Sequence, residues 1–373
     1  MIFIPNIKIV RFILTKKNME DSIDEKCLYS SFNQDSSLFC VGTNKGFRVY
    51  SSYPFKCVGK RDISGGIGIV EILNRCNIFA LVGTGDNPKF GQNKVVLWDE
   101  LNQKVVNQLI VSSNIKNIKI KRTKIFIIEE NNIKVFTLGN YENIDSLKTF
   151  KNKNGIFGIS LDSKLNIISY PSPDIGKIII KDYNKKNEDN FIVNEISAHK
   201  NEIIALVMNY EGTLIASASE RGTIIKIFRT KDGCNIQELR RGTEPAEIYS
   251  LAFDIKSKYI ACSSNKGTIH IFNIHNDKSG GNDLKNQKSI FGNIVSFLGY
   301  QNEYLNSEWS FSQYRLNFKE KSVVSFGNED NNTIIVITQN GKYYNGKFDP
   351  KVKGECQTSM EKDIWNMEVE EQK

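Results

Sequence analysis

The sequence predicts an all-β protein built as one seven-bladed β-propeller. Short runs rich in β-branched and aromatic residues dominate the chain, as in SLFCVGT, KVVLWDE and TIIVITQ. Gly, Asn, Asp or Ser separate these runs at short intervals, which is typical of strands joined by tight turns. A sustained helical period is almost absent, and one turn-and-strand pattern recurs at a spacing that suits propeller blades.

The recurring pattern is a small polar residue, a basic residue, a turn glycine and then alternating strand residues. It occurs as TNKGFRVY at 43–50, SERGTIIKIF at 219–228 and SNKGTIHIF at 264–272, with the last two glycines 45 positions apart. A period of about 40–45 residues with four short strands per unit is typical of a WD-type blade. The period divides the chain into about seven or eight blades, and we predict a single seven-bladed WD-type propeller.

We expect the propeller to occupy residues 25–350, between an N-terminal extension at 1–24 and a C-terminal tail at 351–373. The extension is apolar, but Lys8 and Arg11 interrupt it, and it lacks the layout of a signal peptide. It either pairs with the last blade as a strand or serves as a membrane-contacting or targeting extension. A transmembrane span is not expected, because the chain has no stretch of about eighteen uncharged apolar residues.

One long segment, at 275–306, departs from the rhythm of strands and turns. Its first half, HNDKSGGNDLKNQK, is polar, and its second half, SIFGNIVSFLGYQNEYLN, contains most of its apolar residues. The segment is too long for a hairpin turn and too polar at its start for a core strand. We interpret it as a long loop.

Composition and motifs narrow the function classes. The formal net charge of +8 suits an anionic partner, such as a membrane surface, nucleic acid or an acidic protein. The seven cysteines are scattered without a CxxC pair, which favours reduced cytosolic thiols over disulfides or a zinc site. The loop GTGDNPKFG lacks the spacing of a phosphate-binding loop, and no catalytic motif is apparent. We therefore expect no enzyme activity, no metal and no cofactor.

Two adjacent arginines, Arg240 and Arg241, follow the strand-like run NIQEL. Successive strand residues point to opposite faces, so the pair can serve two ligands, one on each side of the strand. Guanidinium groups match phosphate oxygens and remain charged. The turns SERGT and SNKGT each offer hydroxyls and a basic residue around a glycine, a set that can hold a phosphate. A solvated arginine pair at a strand end is the alternative.

Taken together, these features resemble the PROPPIN family, β-propellers that bind polyphosphoinositides in autophagy and endosomal traffic. The likeness is closest over LRRGTEPAEIYSLAFDIKSKYIACSSNKGTIHIF at 239–272, which follows the family's F/L-R-R-G signature. It also covers 30–55, 65–99 and NSEWSFSQYRL at 306–316. The resemblance implies two rim sites beside the arginine pair, which bind phosphatidylinositol 3-phosphate and the 3,5-bisphosphate.

The resemblance also assigns residues to each site by position. The first site comprises His199, Ser219, Arg221, Thr223, Lys226 and Arg240. The second comprises Arg241, Ser264, Lys266, Thr268 and His270. Lys226 stands where the family usually has arginine, so the first site is expected to be weaker or less selective. The family's sixth-blade loop dips into the bilayer, which here implies membrane insertion of Phe291, Ile294, Phe297 and Leu298.

We further expect a protein that is monomeric in solution and peripherally bound to endosomal, vacuolar or autophagosomal membranes. Its partners are then proteins of the autophagy machinery. A WD-repeat scaffold whose basic rim docks an acidic peptide is an alternative function. A nucleic-acid binder is favoured only by the net charge, since stacking aromatics beside basic patches are not evident, and we expect no nucleic-acid partner.

Overall fold

The strand-like runs of the sequence form strands, and the residues that the structure describes contain no helix. The structure is a computed structural model that describes residues 25–184, 193–275, 286–288, 307–316, 318–327 and 332–369. The predicted N-terminal extension lies outside these ranges. The chain divides into two units, one of Met1–Leu147, Gln339–Gly341 and Asp363–Lys373, the other of Lys148–Thr338 and Lys342–Lys362.

The first unit holds three antiparallel sheets, each made by four strands that are consecutive in the chain. Short turns return each strand alongside the previous one, so neighbours in sequence are neighbours in the sheet. The strands of the first sheet are β1 (Cys27–Phe32), β2 (Leu38–Thr43), β3 (Gly46–Ser51) and β4 (Lys56–Asp62). Those of the second are β5 (Ile67–Ile72), β6 (Ile78–Gly83), β7 (Lys94–Asp99) and β8 (Lys104–Ile110). Those of the third are β9 (Asn117–Ile120), β10 (Lys124–Ile128), β11 (Asn132–Thr137) and β12 (Asn143–Lys148).

The second unit holds four further sheets, which are antiparallel except for one parallel pair at the edge of the fifth and one at the edge of the sixth. The fourth sheet consists of β13 (Gly158–Ile159), β14 (Ile167–Pro171), β15 (Lys177–Asp182) and β16 (Val193–Ser197). The fifth consists of β17 (Ile203–Met208), β18 (Leu214–Ser219), β19 (Ile224–Arg229) and β20 (Asn235–Arg240). The sixth contains β21 (Ile248–Phe253), β22 (Tyr259–Ser264), β23 (Thr268–Asn273) and β26 (Ser312–Arg315). Between β23 and β26 the chain forms two short strands, β24 (Gln287–Lys288) and β25 (Glu308–Trp309), which join the edge of the fifth sheet. The seventh contains β27 (Ser322–Phe326), β28 (Thr333–Thr338), β29 (Lys342–Lys347) and β31 (Gln357–Asp363). The short strand β30 (Gly354–Glu355), between β29 and β31 in the chain, joins the edge of the sixth sheet.

The long segment predicted at 275–306 lies between the third and fourth strands of the sixth sheet. Its described parts are His275 and residues 286–288. The chain that follows it, β25, pairs in parallel with β20 at the edge of the fifth sheet, and β24 pairs with β25. The residues predicted to insert into a membrane lie outside the described ranges.

The boundary predicted for the C-terminal tail at residue 351 is too early. Residues 357–363 form β31, the fourth strand of the seventh sheet, which pairs with β29. This strand, QTSMEKD, is mostly exposed and highly polar, so it lacks the apolar alternation by which the inner strands are recognised. The regular structure of the seventh sheet therefore extends to residue 363.

The inner strands of the second unit are buried on both faces. Every residue of β22 is buried. Ile260 and Cys262 pack with apolar residues of the fifth sheet, whereas Tyr259 and Ala261 pack with those of the seventh. Because both faces of β22 are covered, its apolar residues form a continuous run instead of alternating with polar ones. Each Å² of apolar surface buried in this way contributes about 25 cal/mol.

The turn glycines of the repeated pattern are required by their backbone. Gly222 has φ of +58° and Gly267 has φ of +75°, values that side chains rarely tolerate. A Cβ atom on Gly222 would collide with the carbonyl oxygen of Ala246, and one on Gly267 with that of Phe318. These two turns lie at the ends of β18 and β22, next to the candidate site residues.

Candidate functional site

The register of the fifth sheet assigns the two arginines to opposite faces. Arg240 lies opposite Ile224, and Glu238 lies opposite Lys226. Because side chains alternate along a strand, Glu238 and Arg240 share one face, and Leu239 lies on the other. Leu239 packs in the apolar cluster that includes residues of the sixth sheet. Arg241 lies on that side too, since its charge acts on Cys262 and His270 of the sixth sheet.

Arg240 is buried, with 6% of its surface exposed. Its Nε donates a hydrogen bond to Ser307 Oγ at 2.9 Å. Its guanidinium carbon lies 5.6 Å from the centre of the Trp309 ring, within range of a cation–π interaction. The side chain at the centre of the first predicted site is therefore held by the residues that follow the long insertion.

Lys226 and His199 lie near each other on the same side of the fifth sheet. Lys226 Nζ is 3.2 Å from Glu238 Oε1. His199 Nε2 lies 2.9 Å from the hydroxyl of Ser217, which is the cross-strand neighbour of Lys226. Burial, aided by the charge of Lys226, lowers the pKa of His199 to about 4. His199 is thus neutral near pH 7, and the site contains a carboxylate and a hydroxyl that sequence reasoning missed.

The turn at 219–223 contributes the remaining residues of the first site. The amide of Gly222 donates to the carbonyl of Ser219 at 2.7 Å, which closes the turn. Thr223 is buried, and its carbonyl accepts a hydrogen bond from the backbone amide of Arg241 at 2.9 Å. The side chain of Arg221 is exposed. The backbone therefore attaches this turn directly to the arginine pair.

Arg241 is held by backbone carbonyls of its own surroundings. It is 5% exposed, and its Nε donates to the carbonyl of Gly222 at 2.9 Å. Its Nη2 donates to the carbonyl of Glu244. Burial lowers the pKa of Arg241, but arginine stays charged across the physiological range. The second predicted site thus has a fixed positive charge at its centre.

The other residues of the second site lie around β22 and β23. Ser264 is buried, and its hydroxyl accepts a hydrogen bond from the amide of Lys266 at 3.4 Å. Lys266 Nζ forms an ion pair with Glu244 Oε2 at 3.0 Å. His270 Nδ1 lies 3.0 Å from the hydroxyl of Ser310. Burial, together with the charges of Arg241 and Arg315, lowers the pKa of His270 to about 4.

Arg315 is a further basic residue that sequence reasoning did not assign to a site. It lies on β26 directly opposite Thr268, and its Nη1 forms an ion pair with Glu355 at 3.0 Å. The only signal was its place at the end of the motif NSEWSFSQYRL, since nothing in the local sequence indicates its cross-strand partner. Register, and not sequence proximity, brings it to the second site.

Each side of the fifth sheet thus gathers arginine, lysine, hydroxyl groups and a neutral histidine. Charged donors and hydroxyls are the groups that bind phosphate oxygens. Among the described residues, no group of three or more His, Cys, Asp or Glu side chains could hold a metal ion. The arrangement suits anion recognition on two opposite faces.

Comparison with known proteins agrees with this arrangement. The PROPPIN family model matches residues 26–363. Autophagy-related protein 18e of Arabidopsis thaliana is 32% identical over 333 residues, which cover 88% of this chain and 86% of that protein. SVP1-like protein 2 of Pichia angusta is 32% identical over 318 residues, which cover 83% and 87%.

Solved structures show the fold. Kluyveromyces lactis Hsv2 with a complete loop 6CD superposes with a TM-score of 0.74 at 21% identity, covering 91% of this chain and 100% of that one. KlAtg21, solved in complex with the coiled coil of AgAtg16, gives a TM-score of 0.72 at 21% identity over 91% and 99% of the two chains. The predicted all-β, seven-bladed β-propeller is confirmed, and so is the family resemblance.

Proposed function

Because the chain belongs to the PROPPIN family of phosphoinositide-binding, autophagy-related propellers, we propose that it recognises phosphatidylinositol 3-phosphate through two sites. The 3,5-bisphosphate is proposed as a second ligand of the same sites. One site uses the face of the fifth sheet that carries Arg240, and the other uses the face that carries Arg241. No catalytic step is part of this function, which is to read a membrane and recruit proteins to it.

The observation that carries the proposal is the opposite placement of two adjacent, buried arginines. A solvated pair at a strand end, the alternative from sequence, would have both side chains exposed, whereas these are 6% and 5% exposed. Lys226 is on the same face as Arg240, and Lys266 pairs with the side chain of Glu244, whose carbonyl accepts a hydrogen bond from Arg241. Buried arginines surrounded by hydroxyls and further cations support recognition of a phosphate that replaces water on each face.

Two sites on one molecule favour a membrane over a soluble ligand. A single head group held by a few charge-assisted hydrogen bonds binds weakly, but two bound to one surface raise avidity through effective concentration. We propose that Phe291, Ile294, Phe297 and Leu298 add apolar burial once the head groups are bound.

In the described part of the chain no helix has the length and apolarity to cross a bilayer. We propose peripheral binding of a monomer to endosomal, vacuolar or autophagosomal membranes.

Liposome co-sedimentation tests the head-group proposal. The wild type and the variant Arg240→Thr/Arg241→Thr are compared on vesicles with and without phosphatidylinositol 3-phosphate. We expect the variant to lose head-group-dependent binding by more than about tenfold, since charge-assisted contacts in both sites are removed. The matched control is Arg75→Thr/Arg229→Thr, which removes the same charge from two exposed arginines elsewhere. Undiminished lipid-dependent binding by the first variant would contradict the proposal.

The same experiment separates the alternative function. If the basic rim docks an acidic peptide, the binding of the wild-type protein to vesicles will not depend on the 3-phosphorylated lipid. Partners from the autophagy machinery are compatible with the lipid-binding function, since they can use other surfaces of the propeller. Lipid dependence that is lost only in the arginine variant supports the head-group function.

Membrane insertion has its own test. We expect Phe291→Ser/Phe297→Ser to shorten residence on vesicles while affinity for soluble inositol 1,3-bisphosphate stays the same, because only apolar burial is removed. Stopped-flow dissociation from vesicles and calorimetry with the soluble head group measure the two quantities. An equal loss in both measurements would assign these residues to the fold of the sites and not to insertion.

A further inference from the structure

The chain that returns from the long insertion extends the fifth sheet. The parallel strand β25 places Glu308 beside Leu239 and Trp309 beside Arg240. A strand of two residues forms few backbone hydrogen bonds, so its backbone alone holds it weakly. Its position must depend on side-chain contacts.

Those contacts converge on Glu308, which is 8% exposed. Its carboxylate accepts hydrogen bonds from Gln237 Nε2 at 2.8 Å and from Asn286 Nδ2 at 2.9 Å. His275 Nε2 lies 2.9 Å from both oxygens of the same carboxylate. Burial disfavours the ionised carboxylate, but these hydrogen bonds outweigh it and lower the pKa of Glu308 to about 2. We call Gln237, His275, Asn286 and Glu308 the insertion clasp.

The insertion clasp joins separate parts of the chain. Gln237 belongs to β20, three residues before Arg240. His275 is the first residue of the insertion, Asn286 lies inside it and Glu308 follows it. Gln237 Nε2 and Asn286 Nδ2 also donate to the carbonyl of Asn273 at the end of β23, at 3.0 and 2.7 Å. Strands of two sheets are thereby connected with two points of the insertion and with the chain that follows it, beside the first site.

The residues on either side of Glu308 hold Arg240. Ser307, which is 1% exposed, accepts the hydrogen bond from Arg240 Nε, and the Trp309 ring lies against the guanidinium. Ordering an arginine side chain costs about 2 kcal/mol of rotamer entropy. When that ordering precedes binding, the ligand does not bear it, so preorganisation raises affinity. Arg241, in contrast, is held by the carbonyls of Gly222 and Glu244, neither of which belongs to the insertion.

We propose that Ser307, Glu308 and Trp309 are positioning residues for the first head-group site: they hold Arg240 in place and thereby raise its affinity for a phosphate. The inference rests on the head-group function proposed above. Linkage makes the effect reciprocal: a bound phosphate stabilises β25 in its place beside β20 to the same extent as the placed β25 stabilises the bound phosphate. The second site stands outside this coupling.

Calorimetric titration with inositol 1,3-bisphosphate tests the coupling in two single-site backgrounds. Arg241→Thr leaves the first site, and Arg240→Thr leaves the second. We expect Ser307→Ala, Glu308→Gln and Trp309→Leu each to weaken binding roughly five- to tenfold in the first background. In the second background the same changes should leave affinity unchanged. Ser307→Thr, which retains the acceptor hydroxyl, is the matched control and should keep first-site affinity within about twofold.

The outcomes separate the two proposals. Equal weakening in both backgrounds means a general loss of structure and overturns the positioning role, as does unchanged affinity in the first background. If neither background binds the head group while the insertion is of wild-type sequence, the head-group function itself fails, and the coupling fails with it. Weakening confined to the first background, with recovery in Ser307→Thr, is the result that supports the inference.

Discussion

The two faces of the fifth sheet bear adjacent arginines that are equally buried but differently held. Arg240 is bound by the side chains of Ser307 and Trp309, which follow the insertion, whereas Arg241 is bound by backbone carbonyls of the sheet's own turn region. The difference teaches that equal burial can have different origins, since Arg240 depends on residues far away in the chain and Arg241 on carbonyls close to it.

The largest expected effect concerns what the two faces share, a buried neutral histidine. The pKa of His199 and of His270 is lowered from 6.5 to about 4, so between these values the unfolded chain binds protons that the folded chain does not. The free energy of unfolding therefore has its full value above about pH 6.5. It falls as the pH decreases towards 4, by about 1 kcal/mol per pH unit for each histidine. Urea denaturation from pH 7 to 4.5 measures the slope.

Single replacements sharpen this result. His199→Gln and His270→Gln should each reduce the slope of stability against pH by a similar amount, whatever the change in stability at pH 7. Reading the slope avoids confusion with a lost packing contact. A slope that only one replacement reduces would show that the two faces differ in their histidines as well.

The next effect tests how the arginines are held. Arg241→Lys should lower the free energy of unfolding by about 1–3 kcal/mol, because an ammonium group cannot reproduce the fork that donates to Gly222 and Glu244. Arg240→Lys serves as the matched variant and should cost about 1 kcal/mol, since it removes the hydrogen bond to Ser307 and weakens the cation–π contact with Trp309. Urea denaturation at pH 7 compares them, and a larger cost at Arg240 would reverse the comparison.

The smallest effect is a gain. Glu238 Oε1 pairs with Lys226 on the first face, and both side chains are 16% exposed, so a phosphate must compete with the carboxylate for the lysine. We expect Glu238→Gln to raise first-site affinity for inositol 1,3-bisphosphate about two- to fivefold in the Arg241→Thr background. On the second face, Glu244 is 76% exposed, and Glu244→Gln should change affinity less because water screens that pair. Reduced affinity in Glu238→Gln would mean that the carboxylate supports the site.

Repeated local signals made most of the fold predictable. The turn glycines Gly222 and Gly267 need positive φ, and this requirement appears in the sequence as a fixed pattern. The interval 101–150 lacks that pattern, since the hairpin between β10 and β11 turns at EENN without a glycine. It nevertheless contains the strands β8 to β12. The strand β31 was missed because its exposed, charged residues carry no apolar period.

Sites are harder to predict than strands because their residues meet through register. Arg240 and Arg241 stand out as neighbours in sequence, but Ser217 and Glu238 join the first site only as cross-strand partners of Lys226. Arg315 joins the second site from a strand 47 positions after Thr268, beyond the insertion. The contact of Arg240 with Ser307 spans 67 positions, and no local pattern indicates it.

The short strand β25 has a consequence for molecules crowded on one surface. The outermost strand of a sheet presents unpaired amides and carbonyls that can join the strand of another molecule. β25 covers this edge on the fifth sheet, and β30 covers it in the same way on the sixth, beside β26. The chain thus caps the edges of its own fifth and sixth sheets, which discourages strand pairing between copies of the protein.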